Sequence, residues 1–122
     1  MGRRELGEAG EKAAREHLEA QGLEFRDGNV HATGGEIDLV MYDAAADEWV
    51  LVEVKTRRAA VGQYGSGAEA ITAAKITKIH KAAERYFFDI LQLDACPYYR
   101  VDGVVVVMNS DRVTVEWYKN IS

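Results

Sequence analysis

At 122 residues the chain is long enough for one ordinary core and too short for two comfortable domains, so it reads as a single domain over residues 1–122. Hydrophobic residues make up 48% and charged residues 29%, a normal globular balance, and no apolar run is long enough to cross a bilayer. The net charge of −5 argues, at face value, against a nucleic-acid partner.

The first eight residues, Met1–Glu8, hold two arginines with no apolar segment behind them and do not read as a secretory signal. One cysteine, Cys96, excludes an internal disulfide and offers no metal-ligand cluster, so a reducing, cytoplasmic setting is expected. Charge is unevenly spread. Residues 1–54 carry five basic and thirteen acidic side chains, whereas residues 55–85 carry seven basic and two acidic. A locally basic segment can bind phosphate on an acidic chain, because contact electrostatics fade within about 8–10 Å at physiological salt.

In chain order, Arg3 to Gln21 shows helical spacing of Leu6, Ala9, Gly10, Ala13, Ala14, His17 and Leu18, stopped by Gln21-Gly22. Leu23 to Gly28 reads as a short edge strand with a turn at Asp27-Gly28. A strand follows over Glu36–Tyr42, then a polar connector from Asp43 to Glu48 and a third strand over Trp49–Thr56. The glycine-rich run Gln63–Gly67 leads into a long helix from about Ala68 to Leu91, with Pro97 beyond it. Arg100–Met108 and Arg112–Tyr118 flank Asn109-Ser110-Asp111 as a hairpin, and the all-apolar Val104–Val107 predicts a strand covered on both faces. The predicted class is α/β, in the order α-β-β-β-α-β-β.

Two strings place charge inside strands that otherwise read as buried: Gly35-Glu-Ile-Asp38 and Val52-Glu-Val-Lys55. If the strands joined by the 43–48 connector pair symmetrically, opposed residues sum to about 91, and Asp38 faces Glu53. Opposed antiparallel Cβ atoms lie about 4.5–5.5 Å apart. Two carboxylates that close repel, raising one pKa unless a cation lies between them. Mg²⁺ accepts one or two protein carboxylates and fills its other positions with water and phosphate. Lys55 shares the face of Glu53, where it would orient water or offset transition-state charge. Glu36 is either a supporting acid or an ion-pair partner of Lys55. Solvated cross-strand ion pairs would give the same spacing, but the apolar neighbours of Asp38 and Glu53 put both in a central strand pair.

These strings resemble the YraN-like family of uncharacterised endonuclease-like proteins. That family lies in the PD-(D/E)xK nuclease superfamily and is related to archaeal Holliday junction resolvases. The likeness takes in Gly7-x-x-Gly10-Glu11-x-x-Ala14, Leu18, Gly22, Asn29, Gly35–Asp38, Val52–Arg57, Lys75 and Arg100-Val-Asp102. It implies a restriction-endonuclease-like fold, a central mixed sheet flanked by helices. It further implies Asp38, Glu53 and Lys55 as the active-site trio and Glu11 as a third acid at the metal, with Glu8 the alternative. Mg²⁺ or Mn²⁺ would be the cofactor, DNA the partner and a homodimer the assembly. Where family members carry an Asn-Trp pair and basic residues before Gly-Glu-Ile-Asp, this chain has Asn29-Val-His-Ala-Thr-Gly34, with less positive charge.

Lys75, Lys78, Lys81 and Arg85 recur on one side of the long helix. With Arg57 and Arg58 at the end of the third strand they would form a phosphate-tracking surface that reads backbone or shape, not bases. The function expected is metal-dependent DNA endonuclease activity, with branched DNA as a candidate substrate. The rival is a nuclease-fold module that binds DNA or protein without turnover.

Overall fold

The structure is a computed structural model that describes residues 2–59 and 71–122. Among these residues five strands form one sheet, with a helix packed on each face. Helix α1 spans Arg3–Ala20, followed by β1 (Glu24–Ala32), β2 (Gly35–Asp43) and β3 (Glu48–Arg58). Helix α2 (Ala73–Arg85) precedes β4 (Tyr99–Met108) and β5 (Val113–Tyr118). The strands lie in the order β1-β2-β3-β4-β5; β3 and β4 are parallel, and the other neighbours are antiparallel. The element order and the mixed sheet flanked by helices are those of the expected restriction-endonuclease-like architecture.

Strand alternation divides the core. Leu39, Met41, Val50, Val52, Val104 and Val106 pack beneath Ala14 and Leu18 of α1. Val40, Leu51 and Val101 face the other way, against Ile79, Ala82, Ala83 and the Tyr86–Phe87 pair. Burial runs unbroken from Val101 to Val106, as two covered faces require.

Helix α1 ends as its sequence predicts. Gly22 is left-handed at φ 102°; its N–H reaches the Glu19 carbonyl, and that of Leu23 reaches Leu18. Glycine also sets how closely the helices approach. A Cβ at Gly10 would overlap the Thr56 side chain, and one at Gly35 would overlap the Lys78 carbonyl, so α1 sits tightly on β3 and α2 on β2.

Three boundaries differ from expectation. Strand β1 continues to Ala32 through the predicted turn at Asp27-Gly28. The side chain of Asp27 accepts the N–H of Gly28 at 2.9 Å where the β1–β2 register shifts, so a turn-forming residue serves inside a strand. Helix α2 starts at Ala73 instead of about Ala68, because Thr72 caps it by accepting the Lys75 N–H at 3.3 Å. Its last predicted turn is a π-helical segment, Tyr86–Ile90. The glycine-rich run Gln63–Gly67 and Tyr64 lie outside the described residues. Of the aromatics considered for base stacking, Trp49 packs edge-on against Tyr42, Tyr86 and Phe87, and Trp117 donates to Asp102 at 3.0 Å.

The connector end of the β2–β3 pair is tied by Arg100. Its Nη1 donates to Asp43 and Glu48, both at 2.9 Å, and its Nε donates to the fully buried Asp102 at 3.1 Å. Asp102 also accepts the Asn120 N–H at 2.8 Å. Arg100 holds the Asp43 carboxyl below its ordinary range. Removing one partner of a buried ion pair strands the other charge. Arg100→Met is therefore expected to lose about 3–5 kcal/mol, read as a lower urea midpoint, with secondary structure retained at zero denaturant.

Candidate functional site

The β2–β3 ladder follows the predicted sum of 91, from Asp43↔Glu48 to Leu39↔Val52. There it stops. The next β3 amide on that edge, Val54, donates to Asp38 Oδ2 at 2.8 Å, so a side-chain carboxylate receives the N–H. The β1–β2 pairing skips the same place, passing from Gly28↔Leu39 to Val30↔Ile37. Ile37 packs with Val40 and Leu51 on the α2 side, although strict alternation would place it with Leu39 on the α1 side. Strand β2 is thus kinked at Asp38, and Asn29 across from it has a positive φ of 50°.

The kink brings the carboxyl group of Asp38 against that of Glu53, and the two share a hydrogen bond. Burial pushes Glu53 up to about 7, helped by the neighbouring Asp38 charge and opposed by Lys75. Burial also raises Asp38, against the pull of the Val54 N–H. The two helices approach this pair from opposite faces of the sheet. Glu11 of α1 is raised by burial and then by the Asp38 charge, while a hydrogen bond from Asn29 opposes the rise. Lys75 of α2 places Nζ 3.6 Å from Glu53 Oε1.

Among the predicted site residues, the fold brings Asp38, Glu53, Glu11 and Lys55 to one open cleft of about 590 Å³, which Lys75 also lines. The Lys55 side chain is exposed and forms no ion pair or hydrogen bond among the described residues. Glu8 is engaged with Arg4 at 3.2 Å, which leaves Glu11 as the α1 acid beside Asp38. Glu36 pairs with His31 at 3.2 Å instead of with Lys55. Among the described residues no three His, Cys, Asp or Glu side chains gather closely enough to enclose an ion. Two acids with open positions nevertheless suit Mg²⁺ or Mn²⁺, which keep water and substrate oxygens as ligands.

The basic residues divide. Lys75 and Lys78 line a second cleft of about 450 Å³ with His31, Glu36 and Glu53, and Lys81 lies against Gly34 beside it. Arg57 is half-buried on β3. Arg58 borders a separate depression with Leu6, Met108 and Val113. Arg85, at the far end of α2, pairs with Asp89 at 3.3 Å. Asn29 and the Lys75–Glu53 contact are the parts that sequence patterns did not reveal as site features. An asparagine amid a strand-forming run is the one local signal, since asparagine tolerates left-handed backbone.

With this geometry in view, the chain matches the family model described as uncharacterised protein family UPF0102 over residues 10–106. It belongs to that family. UPF0102 proteins of Shewanella frigidimarina and Shewanella halifaxensis are 42% and 37% identical to it, over 88% and 93% of this chain and 91% of each relative. The UPF0102 protein of Shewanella woodyi is 41% identical over 75% of this chain and 84% of its own. The crystal structure of SSO0001 aligns over 94% of this chain and 51% of its own at 14% identity, with a TM-score of 0.34, too distant to inform the site. The acids and lysines of the cleft, from Glu11 through Lys75, fall inside the UPF0102 match.

The shared proton makes stability depend on pH. Glu53 binds its proton more tightly folded than unfolded, so its stabilisation is full below about 4.5 and is lost as pH rises through about 7. Glu53→Gln removes that loss. In EDTA it is expected to be more stable than the parent by about 1–3 kcal/mol at pH 8, with the gap closing by pH 5, measured by urea unfolding.

Proposed function

We propose that this UPF0102 protein is a divalent-cation-dependent DNA endonuclease of the PD-(D/E)xK type, related to the resolvases and suited to branched DNA. The observation that carries the reading is the pair of desolvated carboxyls, Asp38 and Glu53, forced together where the sheet opens. A protein has little structural reason to bury two acids against each other, since the arrangement weakens the fold at neutral pH.

Asp38 and Glu53 would hold Mg²⁺ or Mn²⁺, with Glu11 supporting from α1. Such an ion would supply Lewis acidity at a phosphoryl oxygen and lower the pKa of a water, so that the water could lose a proton and attack phosphorus. Lys55, two residues beyond Glu53 on β3, stands at the cleft to orient that water and offset the charge gathering on the phosphate. Arg57, Lys75, Lys78 and Lys81 carry the positive charge that holds the DNA backbone beside the acids, giving positioning without base readout. Arg85, already paired with Asp89, and Arg58, on another depression, take a lesser part.

One observation favours a second reading. Among the described residues no three acids close around one point, Glu11 standing apart on α1, and a protein so built would bind DNA in the same cleft without turning it over. The two are separated by measurement. The nuclease reading expects Mn²⁺ binding by calorimetry, with about one proton released per ion below pH 7, and cleavage of branched DNA that stops in EDTA. Asp38→Asn should abolish cleavage and weaken Mn²⁺ binding at least tenfold. DNA binding that persists in EDTA and survives Asp38→Asn, without cleavage by the parent, would establish the binding module instead.

A further inference from the structure

Two acids in a desolvated site need a positive charge, and the structure supplies one from an unexpected element. The pattern Glu53-Val-Lys55 directs attention to Lys55, yet Lys55 is exposed and unpaired among the described residues. Among the described residues, the lysine that meets Glu53 is Lys75. Its Nζ lies 3.6 Å from Glu53 Oε1, and its charge favours the ionised forms of both Glu53 and Asp38.

The placement is built into the fold. Lys75 is the third residue of α2, and its N–H is bonded to the capping Thr72 Oγ1, which fixes its backbone relative to the helix start. One turn later, the close contact of Lys78 with Gly35 clamps α2 on β2. The side chain lines both the cleft with Glu11, Asp38 and Lys55 and the cleft with His31, Glu36 and Lys78, so it stands where the two meet. Its own exposure is 41%, whereas the Glu53 side chain is 14% exposed, so the ammonium can swing while the carboxyl is held.

We infer that Lys75 is a partner-switching lysine: it holds Glu53 while the acids are without a divalent ion and turns to the substrate phosphate once Glu53 is engaged. This rests on the nuclease reading above. An ammonium and a divalent cation compete for one carboxylate and repel each other, so loading the acids frees Lys75. The released cation stands at the cleft where a phosphate must lie to complete the ion's coordination. Lys75 thereby takes on transition-state charge stabilisation that the sequence pattern alone assigns to Lys55.

The test compares Lys75→Met, Lys75→Arg and Lys78→Met with the parent by Mn²⁺ calorimetry and by single-turnover cleavage of branched DNA. Lys75→Met should bind Mn²⁺ about threefold tighter, because a competing cation is gone, and cut about 100-fold more slowly. Lys75→Arg should recover part of the rate. Lys78→Met should weaken DNA binding and leave Mn²⁺ affinity unchanged. Mn²⁺ affinity that is unchanged or weaker in Lys75→Met, or a cleavage rate within threefold of the parent, would overturn the switch while leaving the nuclease reading intact. Loss of the nuclease reading shows differently, as a parent protein that binds no Mn²⁺ or whose Mn²⁺ binding ignores Asp38→Asn, and the switch falls with it.

Discussion

Strands β2 and β3 are bonded like a hairpin at one end and parted at the other, and Asp38 is where they part. At the connector end, Arg100 gathers Asp43, Glu48 and Asp102 so that the strands cannot separate. At the far end the Asp38 carboxylate takes the Val54 N–H that an unbroken ladder would pair with backbone. The bond satisfies a buried donor and at the same time keeps the acid inside the protein. Without the clamp the strands would be free to shift register, and a one-residue slip would turn Glu53 to the opposite face. The rest of the site hangs on this closed-and-open arrangement.

Two glycines then decide what reaches the opening. Gly10 allows α1 to rest on Thr56, which brings the adjacent Glu11 within electrostatic range of Asp38. Gly35 allows α2 to rest on β2 through the Lys78 backbone, which brings Lys75 to Glu53. An acid and a base thus arrive from opposite faces of one sheet. Negative charge therefore stands on one side of the carboxyl pair and positive charge on the other, while burial raises the proton affinity of both members of the pair.

Much of this was readable from local patterns. The 91-sum pairing follows from a short polar connector between two apolar runs, and it is observed from residue 39 to residue 52. The Gln21-Gly22 stop and the run Val104–Val107, buried on both faces as far as Val106, rest on equally local chemistry. What escaped was tertiary. Asp27-Gly28 has turn-forming chemistry, yet the tie of Tyr86 Oη to Asp27 Oδ2 at 3.3 Å accompanies a bulge that lets the strand continue. The start of α2 turned on a single threonine cap within a stretch whose helical periodicity began earlier. The positions of Lys55 and Lys75 relative to Glu53 could not be ranked, because strand parity says which face a lysine shares and nothing about a helix packed against that face.

Glu53 is paired in the parallel register with Gly103, and the space a side chain would fill there is taken by Ile71 and Ile121. The apolar wall beside the acid therefore comes from segments far along the chain, and parallel pairing across some fifty residues is a slow, late event in folding. Without that wall, water would reach both carboxyls and the main cause of their raised proton affinity would be gone. The proton affinity of the pair is therefore a property of the completed sheet and not of the two strands that carry the acids.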